Sequence, residues 1–375
     1  MIYLDHAATT PLRPPAREAF LTASEVVGNP SAVHAAGRAA RRVLEDARER
    51  VAALLDADPA EVIFTSGGTE GANLAVRGAA LASDRPAVAV SAVEHPAVLA
   101  AAHSLPGRQV RLLPVDRDSR LTTTALDAVD ERVGVVSVMW VNNETGVIQP
   151  VDEVVAAAHA VGAVAHCDAV QAIGHVPVHF SASGLDALSF SGHKLGAPVG
   201  VGALLARREL KLAPQTFGGG QERGVRSGTL AAPLAAALAA ALAAAVAELE
   251  AEAARLTGLR GQVERALARI AGVRVTGAQL PDARRSPATV HAVLDGVDAD
   301  VLLYALDRAG IAISSGSACR AGVQEPSHVI AAMGGNNPRG GLRCSLGWTT
   351  TGSDVDAFAR GIGPAVALAR AAYRP

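Results

Sequence analysis

Cysteine is scarce in this chain, and the three that occur are Cys167, Cys319 and Cys344. They form no C-x-x-C pair and no even set, so the sequence indicates neither a disulfide framework nor a structural zinc site. We therefore predict a protein without a metal site that works in a reducing compartment, the cytoplasm.

Aromatic residues and excess charge are lacking as well, with six Phe, two Trp and three Tyr among 375 residues and a formal net charge of −2. A chain so balanced has no overall positive field to hold nucleic acid or an anionic membrane. The first residues, MIYLDHAATT, do not place a basic segment before an apolar run, and charge follows the alanine run at 235–247 too soon for a bilayer span. We predict that the protein binds neither nucleic acid directly nor a membrane.

Half of the residues are hydrophobic, which is enough to fill ordinary cores. Short apolar runs bounded by turn residues alternate with helix-length patterns, such as those at 36–55 and 70–81. The apolar runs predict buried strands at residues 62–65, 87–90, 135–138, 164–167 and 187–190. This alternation favours an α/β fold whose mostly parallel sheet is covered on both faces.

The pattern changes after residue 230. From there to about residue 270 the chain is rich in Ala, Leu, Glu and Arg, which predicts a bridging pair of helices. Beyond it, the patterns predict short strands at 288–294, 311–314 and 341–345 and helices at 300–308 and 354–372. We interpret this region as a second, smaller α/β domain.

Two predicted strands end in a charged residue. The first, in ALSFSGHK, ends at Lys194, and a lysine at the carboxyl edge of an open sheet is a candidate for Schiff-base formation or a plain structural residue. The second, VAHCD, ends at Asp168, a carboxylate that needs a positive partner or caps a helix. His166 shares a face with Asp168 while Cys167 faces away, which argues against a metal site. Lys194 with Asp168 suggests pyridoxal phosphate.

A phosphate cradle and further polar candidates follow other strands. In FTSGGTE a strand runs into glycines and a hydroxyl residue at the start of a helix, where backbone N–H groups favour an anion. Ser191 and His193 could reach the same phosphate. His95 follows an apolar strand and could stack on a ring or transfer protons. Asn143 occupies the equivalent place after another strand, or only forms a turn.

The last candidates lie near the carboxyl terminus. Cys319 sits in the Ser/Gly/Ala-rich sequence IAISSGSACRAG, which is typical of a reactive thiol rather than a packed one, so it is a candidate nucleophile. In GLRCS, the strand alternation places Arg343 opposite Cys344. An inward-pointing arginine needs an anion, and a substrate carboxylate bound through two hydrogen bonds would supply one.

Taken in order, these motifs resemble the pyridoxal-phosphate-dependent cysteine desulfurases of the nitrogen-fixation and iron-sulfur-cluster type, within the fold-type I aminotransferase superfamily. The resemblance covers nearly the whole chain. It implies a large cofactor-binding domain at residues 14–253 and a small domain at 1–13 and 254–375 that carries the catalytic cysteine. The motifs are YLDHAATTP, GNPSAVHAAGR, FTSGGTEGANLA, EHPAV, VNNETG, HCDAVQA, SFSGHK, GGGQERGVRSGT, SSGSAC and LRCSLGWTTT.

The resemblance also implies roles for individual residues. Lys194 would carry pyridoxal phosphate, Asp168 would pair with its pyridine nitrogen, and Gln171 would contact its ring hydroxyl. His95 would stack on the ring and act in catalysis. The phosphate would be held by Gly68, Thr69, Ser191 and His193, and by Thr229 from the partner subunit of a homodimer. The substrate carboxylate would be bound by Asn143, beside the cofactor, and Arg343.

The reaction so implied converts L-cysteine to L-alanine, with the sulfur held as a persulfide on Cys319. The sulfur would pass to an acceptor protein, either a cluster scaffold or an enzyme that thiolates transfer RNA or another cofactor. SSGSAC resembles the group with the longer catalytic loop. A selenocysteine lyase or a related class V aminotransferase would share Lys194 and Asp168 without needing Cys319. A cofactor-free sulfur-transfer adaptor and a cysteine hydrolase are the alternatives from other classes.

Overall fold

The computed structural model describes residues 1–316, 319–320, 323–324, 326–335 and 339–373, with the backbone alone at 319–320 and 323–324. The helix predictions hold to within two residues, apart from the region after residue 230. The helices of the described residues are α1 (Pro14–Ser24), α2 (Ala35–Leu54), α3 (Gly68–Leu81), α4 (Pro96–His103), α5 (Val151–Ala160), α6 (Phe180–Ser183), α7 (Ala232–Ala268), α8 (Ala299–Arg308), α9 (His328–Ala332) and α10 (Gly352–Ala372).

The predicted strands are also found to within two residues, and other short strands accompany them. The strands of the described residues are β1 (Ile2–Tyr3), β2 (Val62–Thr65), β3 (Ala87–Ser91), β4 (Gln109–Leu113), β5 (Val133–Ser137), β6 (Val164–Asp168), β7 (Ala187–Ser191), β8 (Gly202–Ala206), β9 (Val273–Val275), β10 (Thr289–Leu294), β11 (Ile311–Ala312), β12 (Cys319–Arg320), β13 (Val323–Gln324) and β14 (Gly341–Ser345).

A seven-stranded sheet in the order β2-β8-β7-β6-β5-β3-β4 forms the centre of the fold. The neighbours from β7 to β4 run parallel, whereas β8 is antiparallel to both β2 and β7. The central strands are buried along their whole length, apart from the first residue of β6, as a sheet covered on both faces requires. The predicted α/β fold with a mostly parallel sheet is therefore confirmed.

Helix α7 corrects one expectation, because a single helix of 37 residues occupies the region predicted as a helix pair. Its first half, around Leu238 and Leu242, packs into the core beneath the large sheet. Its second half, around Leu259 and Leu267, packs into a separate core with β10, β14 and α10. The change in the sequence pattern therefore marks a change of core and not a break in the helix.

By length and apolar composition alone α7 could cross a membrane, although the sequence pattern had predicted that flanking charge excludes a span. Half of its most apolar stretch is buried inside the protein. The helix also packs against both α1 and α2. These contacts are those of a core helix in a folded domain.

The carboxyl-terminal part is built on a small antiparallel sheet in the order β14-β10-β9. The amino-terminal strand β1 pairs in parallel with β11, and the backbone at Asp5 continues onto Ser345 of β14. The first residues of the chain therefore pack with the last third. The division into residues 14–253 against 1–13 and 254–375 stays a prediction.

Three strand ends of the large sheet converge on one edge. Strand β2 leads through Gly67, which adopts a positive φ of 154°, into α3. Strand β6 ends at Asp168, and β7 ends at Ser191, just before the turn that carries Lys194. Because carboxyl ends of parallel strands share one edge of a sheet, this is where a ligand site is expected.

Gly202 allows close packing at that edge of the sheet, because its strand, β8, lies directly between β2 and β7. A Cβ atom at this position would lie 2.5 Å from the Phe190 carbonyl oxygen and 2.8 Å from the Gly67 Cα.

We predict that Gly202→Ala lowers the free energy of unfolding by roughly 1–3 kcal/mol, since backbone atoms must move. Gly258→Ala in α7, with nothing within 4 Å, is the control and should be neutral or stabilising by up to about 1 kcal/mol. Denaturation midpoints of both variants test this, and equal midpoints would contradict it.

Candidate active site

A cavity of about 560 Å³ opens at this edge of the sheet. The amino-terminal segment, the large sheet and the carboxyl-terminal part all contribute to its wall. Most of the predicted site residues meet there. The wall includes Gly68, Thr69, His95, Asn143, Asp168, Gln171, Ser191, His193, Lys194 and Arg343.

Lys194 enters the cavity from the 3₁₀ turn after β7. Its Nζ donates hydrogen bonds to the backbone carbonyls of Ala7 and Ala8, the latter at 2.6 Å. Burial, together with the nearby positive charge of Arg343, lowers the pKa of Lys194 to about 8, although the charges of Asp5 and Asp168 oppose the shift. A substantial fraction of this amine is therefore neutral, and hence nucleophilic, at near-neutral pH.

Asp168 lies in the floor of the same cavity, at the end of β6. Burial raises the pKa of its carboxyl to about 6, although the hydrogen bond from Val170 N (2.9 Å) and the charge of Lys194 oppose this. The bond from Val170 closes a turn, and no helix begins at Asp168 in the described chain, so the helix-cap alternative is wrong. A cationic ligand atom would offset the cost of desolvating the carboxylate.

Two histidines line the cavity on either side of this pair. His95 caps α4, where its Nδ1 accepts a hydrogen bond from Ala97 N at 3.1 Å. Burial lowers the pKa of His95 to about 4, and nearby Lys194 adds to the effect. His193 contacts the hydroxyl of Thr9 at 3.2 Å, and burial lowers its pKa to about 4 as well. Both rings are therefore neutral at pH 7.

The phosphate cradle predicted at FTSGGTE lies at the amino terminus of α3. Gly68 and Thr69 belong to the first turn of the helix, two residues earlier than predicted, so their N–H groups lack helical partners and point outward. A Cβ atom on Gly68 would lie 2.7 Å from Val170 Cγ2, so the close packing here leaves room for glycine alone. Ser191 also lines this end of the cavity.

Arg343 is buried on β14 and enters the cavity opposite Lys194. Its Nη1 donates to the Asn143 carbonyl oxygen at 2.8 Å, and its Nη2 donates to Asp5 Oδ1 at 2.8 Å. Its buried Nε has no hydrogen-bond partner among the described residues. The anion beside this arginine in the ligand-free chain is therefore Asp5.

Sequence reasoning missed three acidic residues around the cavity. Asp5 pairs with Arg343. In the sequence, the only indication of its importance is its place in the motif YLDHAATTP. Glu94 is buried behind Asp168, and burial together with the Asp168 charge raises its pKa well above the usual range. Glu144 is buried beside Asn143. Glu94 directly precedes the candidate His95, and Glu144 directly follows the candidate Asn143. Their burial depends on tertiary packing, which the sequence pattern does not show.

Two predicted residues are not among the described side chains of this wall. Thr229 is exposed in the segment before α7, and its role was predicted for a partner subunit. The backbone at Cys319 pairs with that at Gln324 in the β12–β13 ladder, while the Cys319 side chain lies outside the described residues. Cys167 and Cys344 are buried free thiols. Among the described residues, no three His, Cys, Asp or Glu side chains are grouped so as to hold a metal ion.

Comparison with known proteins agrees with this geometry. The model of the family "Aminotransferase class-V" matches residues 2–358. An IscS-like cysteine desulfurase of Mycobacterium tuberculosis is 47% identical over 99% of this chain and 98% of its own length. A cysteine desulfurase of Cereibacter sphaeroides is 42% identical over 99% and 97%, respectively. A solved NifS-like protein superposes with a TM-score of 0.90 at 32% identity, covering 98% of this chain and 99% of the other.

The lowered pKa of Lys194 has a measurable consequence. Only a neutral amine attacks an aldehyde. We therefore predict that apoprotein mixed with pyridoxal phosphate gains visible absorbance at a rate that increases with pH, with a midpoint of about 8. An ordinary lysine would place the midpoint near 10.5. The Lys194→Ala variant, as the control, should gain no such absorbance. A wild-type midpoint at the ordinary value would contradict the assigned environment.

Proposed function

Since this chain belongs to the class V aminotransferase family and is a pyridoxal-phosphate-dependent cysteine desulfurase that acts on L-cysteine, we propose that Lys194, Asp168 and Cys319 are the residues that perform its reaction. The observation that supports this best is the meeting of Lys194 and Asp168, two desolvated groups of opposite charge, in the wall of one cavity. Lys194 binds the cofactor covalently, Asp168 pairs with its ring nitrogen, and Cys319 accepts the sulfur.

The cavity fits a phosphorylated pyridine compound. The outward N–H groups of the first turn of α3, at Gly68 and Thr69, suit the phosphate, together with Ser191 and His193. Gln171 lies in the same wall, where it contacts the ring hydroxyl in our proposal. When bound, the cofactor supplies an electron sink for the bond changes at the substrate.

Charge states in the wall complement that cofactor. A protonated ring nitrogen beside Asp168 stabilises the ionised carboxylate and so offsets the burial that raises its pKa to about 6 in the ligand-free chain. His95, neutral because its pKa is about 4, stacks on the ring without repelling the cation. With the cofactor and substrate bound, the Nζ of Lys194 would be a base of suitable strength for the substrate Cα proton.

The substrate carboxylate binds between Asn143 and Arg343. The guanidinium of Arg343, held in place by Asp5 and the Asn143 carbonyl, is the cation that this site offers. A hydrogen bond between ionised partners is shorter and stronger than a neutral one. This contact therefore fixes the orientation of the amino acid.

Cys319 completes the reaction as a thiolate that attacks the sulfur of the bound cysteine. A sulfur–sulfur bond forms and the substrate Cβ–S bond breaks, with its electron pair left on the carbon. Protonation of that carbon releases alanine, and the sulfur stays on Cys319 as a persulfide. We propose that it passes to an acceptor protein, a cluster scaffold or a thiolation enzyme, in the cytoplasm, where the buried free thiols stay reduced.

We also propose that the enzyme is a homodimer. Val199 lines the cavity yet is 77% exposed in the single chain, and Phe217 is 84% exposed in the segment that leads to Thr229. Exposed large apolar side chains are typical of a surface that a second protein covers. In this arrangement Thr229 of each subunit contacts the cofactor phosphate of the other.

Mixing two variants tests the shared site. We predict that Thr229→Ala weakens cofactor binding by about tenfold or more, the effect of one hydrogen bond to a charged group, and that Lys194→Ala abolishes covalent binding. A hybrid dimer of the two contains one intact site, with Lys194 from one chain and Thr229 from the other. Recovery of tight binding in the mixture is the expected result, whereas no recovery means that Thr229 does not act across the dimer.

A cysteine series tests the sulfur acceptor. We predict that Cys319→Ala, incubated with L-cysteine, forms no persulfide and no net alanine, because no thiolate is left to attack the substrate sulfur. Cys167→Ala and Cys344→Ala, which remove buried thiols, should retain turnover per cofactor-loaded subunit. Alanine analysis and intact-protein mass spectrometry measure both products. Full turnover by Cys319→Ala would refute the role of that residue and favour a lyase that needs no such thiol.

A further inference from the structure

One buried carboxylate touches the chain on both sides of the segment that carries Cys319. Glu144 is 2% exposed, and its Oε2 accepts a hydrogen bond from Ser327 Oγ at 2.6 Å. On the other side of Cys319, Gly316 packs against the same side chain, since a Cβ atom there would lie 3.4 Å from the Cβ, Cγ and Oε2 atoms of Glu144. A single glutamate thus binds the residue that ends this segment and lies close to the residue that begins it.

The far end of the segment is fixed firmly. Ser327 is buried and caps α9, where its Oγ also accepts a hydrogen bond from Ile330 N at 3.0 Å. A hydroxyl has one proton to donate, and here the proton goes to Glu144. The next residue, His328, contacts the Glu94 carbonyl oxygen through Nε2 at 2.9 Å. The Ser327 hydroxyl therefore connects α9 to the large sheet through Glu144.

The turn that presents Glu144 is fixed as well. Asn142 Oδ1 accepts hydrogen bonds from the N–H groups of Glu144 and Thr145 at 3.0 and 2.9 Å, while its Nδ2 donates to Val93 O at 2.9 Å. The intervening residue, Asn143, lines the cavity and receives Arg343 on its carbonyl oxygen. Adjacent residues of one turn therefore face the substrate site and the cysteine segment.

Burying this carboxylate is costly, so its contacts must compensate. Burial raises the pKa of Glu144, whereas the Ser327 hydrogen bond and the charges of His328 and Arg343 act in the opposite direction. An apolar residue could fill the same space without that cost. The hydrogen bond to Ser327 is the contact that an apolar residue could not make.

We propose that Glu144 is a positioning residue for Cys319, which holds the two ends of the cysteine segment, Gly316 and Ser327, at the cavity wall. The inference rests on the proposed role of Cys319 as sulfur acceptor. Glu144 also lines the cavity, and in this proposal it acts through the chain and not on the substrate. With the ends held, the thiol reaches the substrate sulfur from a restricted set of positions, which favours attack.

The test uses cofactor-loaded Glu144→Ala, Glu144→Gln and Ser327→Ala enzymes. We expect Glu144→Ala and Ser327→Ala to lower kcat for alanine formation roughly 10- to 100-fold, the cost of misplacing a reacting group by about 1 Å. The KM for L-cysteine should stay within about twofold, because the carboxylate contacts remain. Glu144→Gln keeps the shape and an acceptor oxygen for Ser327, so it should retain most of the activity.

A second readout reports the thiol directly. The other two cysteines are buried, so alkylation by iodoacetamide followed by peptide mass spectrometry measures Cys319 in the folded enzyme. We expect severalfold faster labelling of Cys319 in Glu144→Ala and Ser327→Ala, with Cys167 and Cys344 still protected. Glu61→Ala is the matched control, since Glu61 is another buried glutamate, bonded to Asp58 N, and should leave Cys319 labelling unchanged.

Several results would overturn the inference. Unchanged kcat and unchanged labelling in both Glu144→Ala and Ser327→Ala would do so, as would a Glu144→Gln variant as impaired as Glu144→Ala. A changed KM with unchanged Cys319 labelling would assign Glu144 to the substrate site instead. If Glu144→Ala does not fold, Ser327→Ala decides alone. Full turnover by Cys319→Ala would remove the proposed function itself and is thereby distinguished from failure of the positioning role.

Discussion

The desolvation of two opposite charges at neighbouring strand ends is the constraint on which this site depends. Lys194 and Asp168 both lie in the cavity wall. Burial lowers the pKa of Lys194 and raises that of Asp168, so it favours the neutral form of each. An amine in this state is ready to react with an aldehyde, and a carboxyl in this state is stabilised by a cationic ring nitrogen. The ligand-free protein thus carries a cost that pyridoxal phosphate relieves.

The remaining wall is arranged around that pair. The first turn of α3 offers N–H groups at one end, and Arg343, oriented by Asp5, offers a donor from the carboxyl-terminal part. Because β1 joins that part through β11, the carbonyls of Ala7 and Ala8 reach across to bind Lys194. The cofactor end and the substrate end of the cavity therefore come from different parts of the chain.

Local pattern was enough to predict the strand-end residues, because a buried strand followed by a polar residue places that residue at the sheet edge. Asp168, Lys194 and Asn143 were found in this way. The single helix α7 was missed. The composition changes where the helix passes from one hydrophobic core to the other, and in the sequence this change resembles a break between two helices. Asp5 and Glu144 were missed because their partners, Arg343 and Ser327, are distant in sequence, and such pairing depends on tertiary packing. Thr229 depends on a second chain and stays a prediction.

The attachment point of the cofactor tests the account most directly. The sequence contains two lysines, Lys194 in the cavity wall and the exposed Lys211, so the assignment has few alternatives. Holoenzyme reduced with borohydride and digested should yield one peptide that carries the pyridoxyl group, the peptide with Lys194, in wild type and Lys211→Arg alike. Recovery of the label on Lys211, or on no lysine at all, would contradict the central claim.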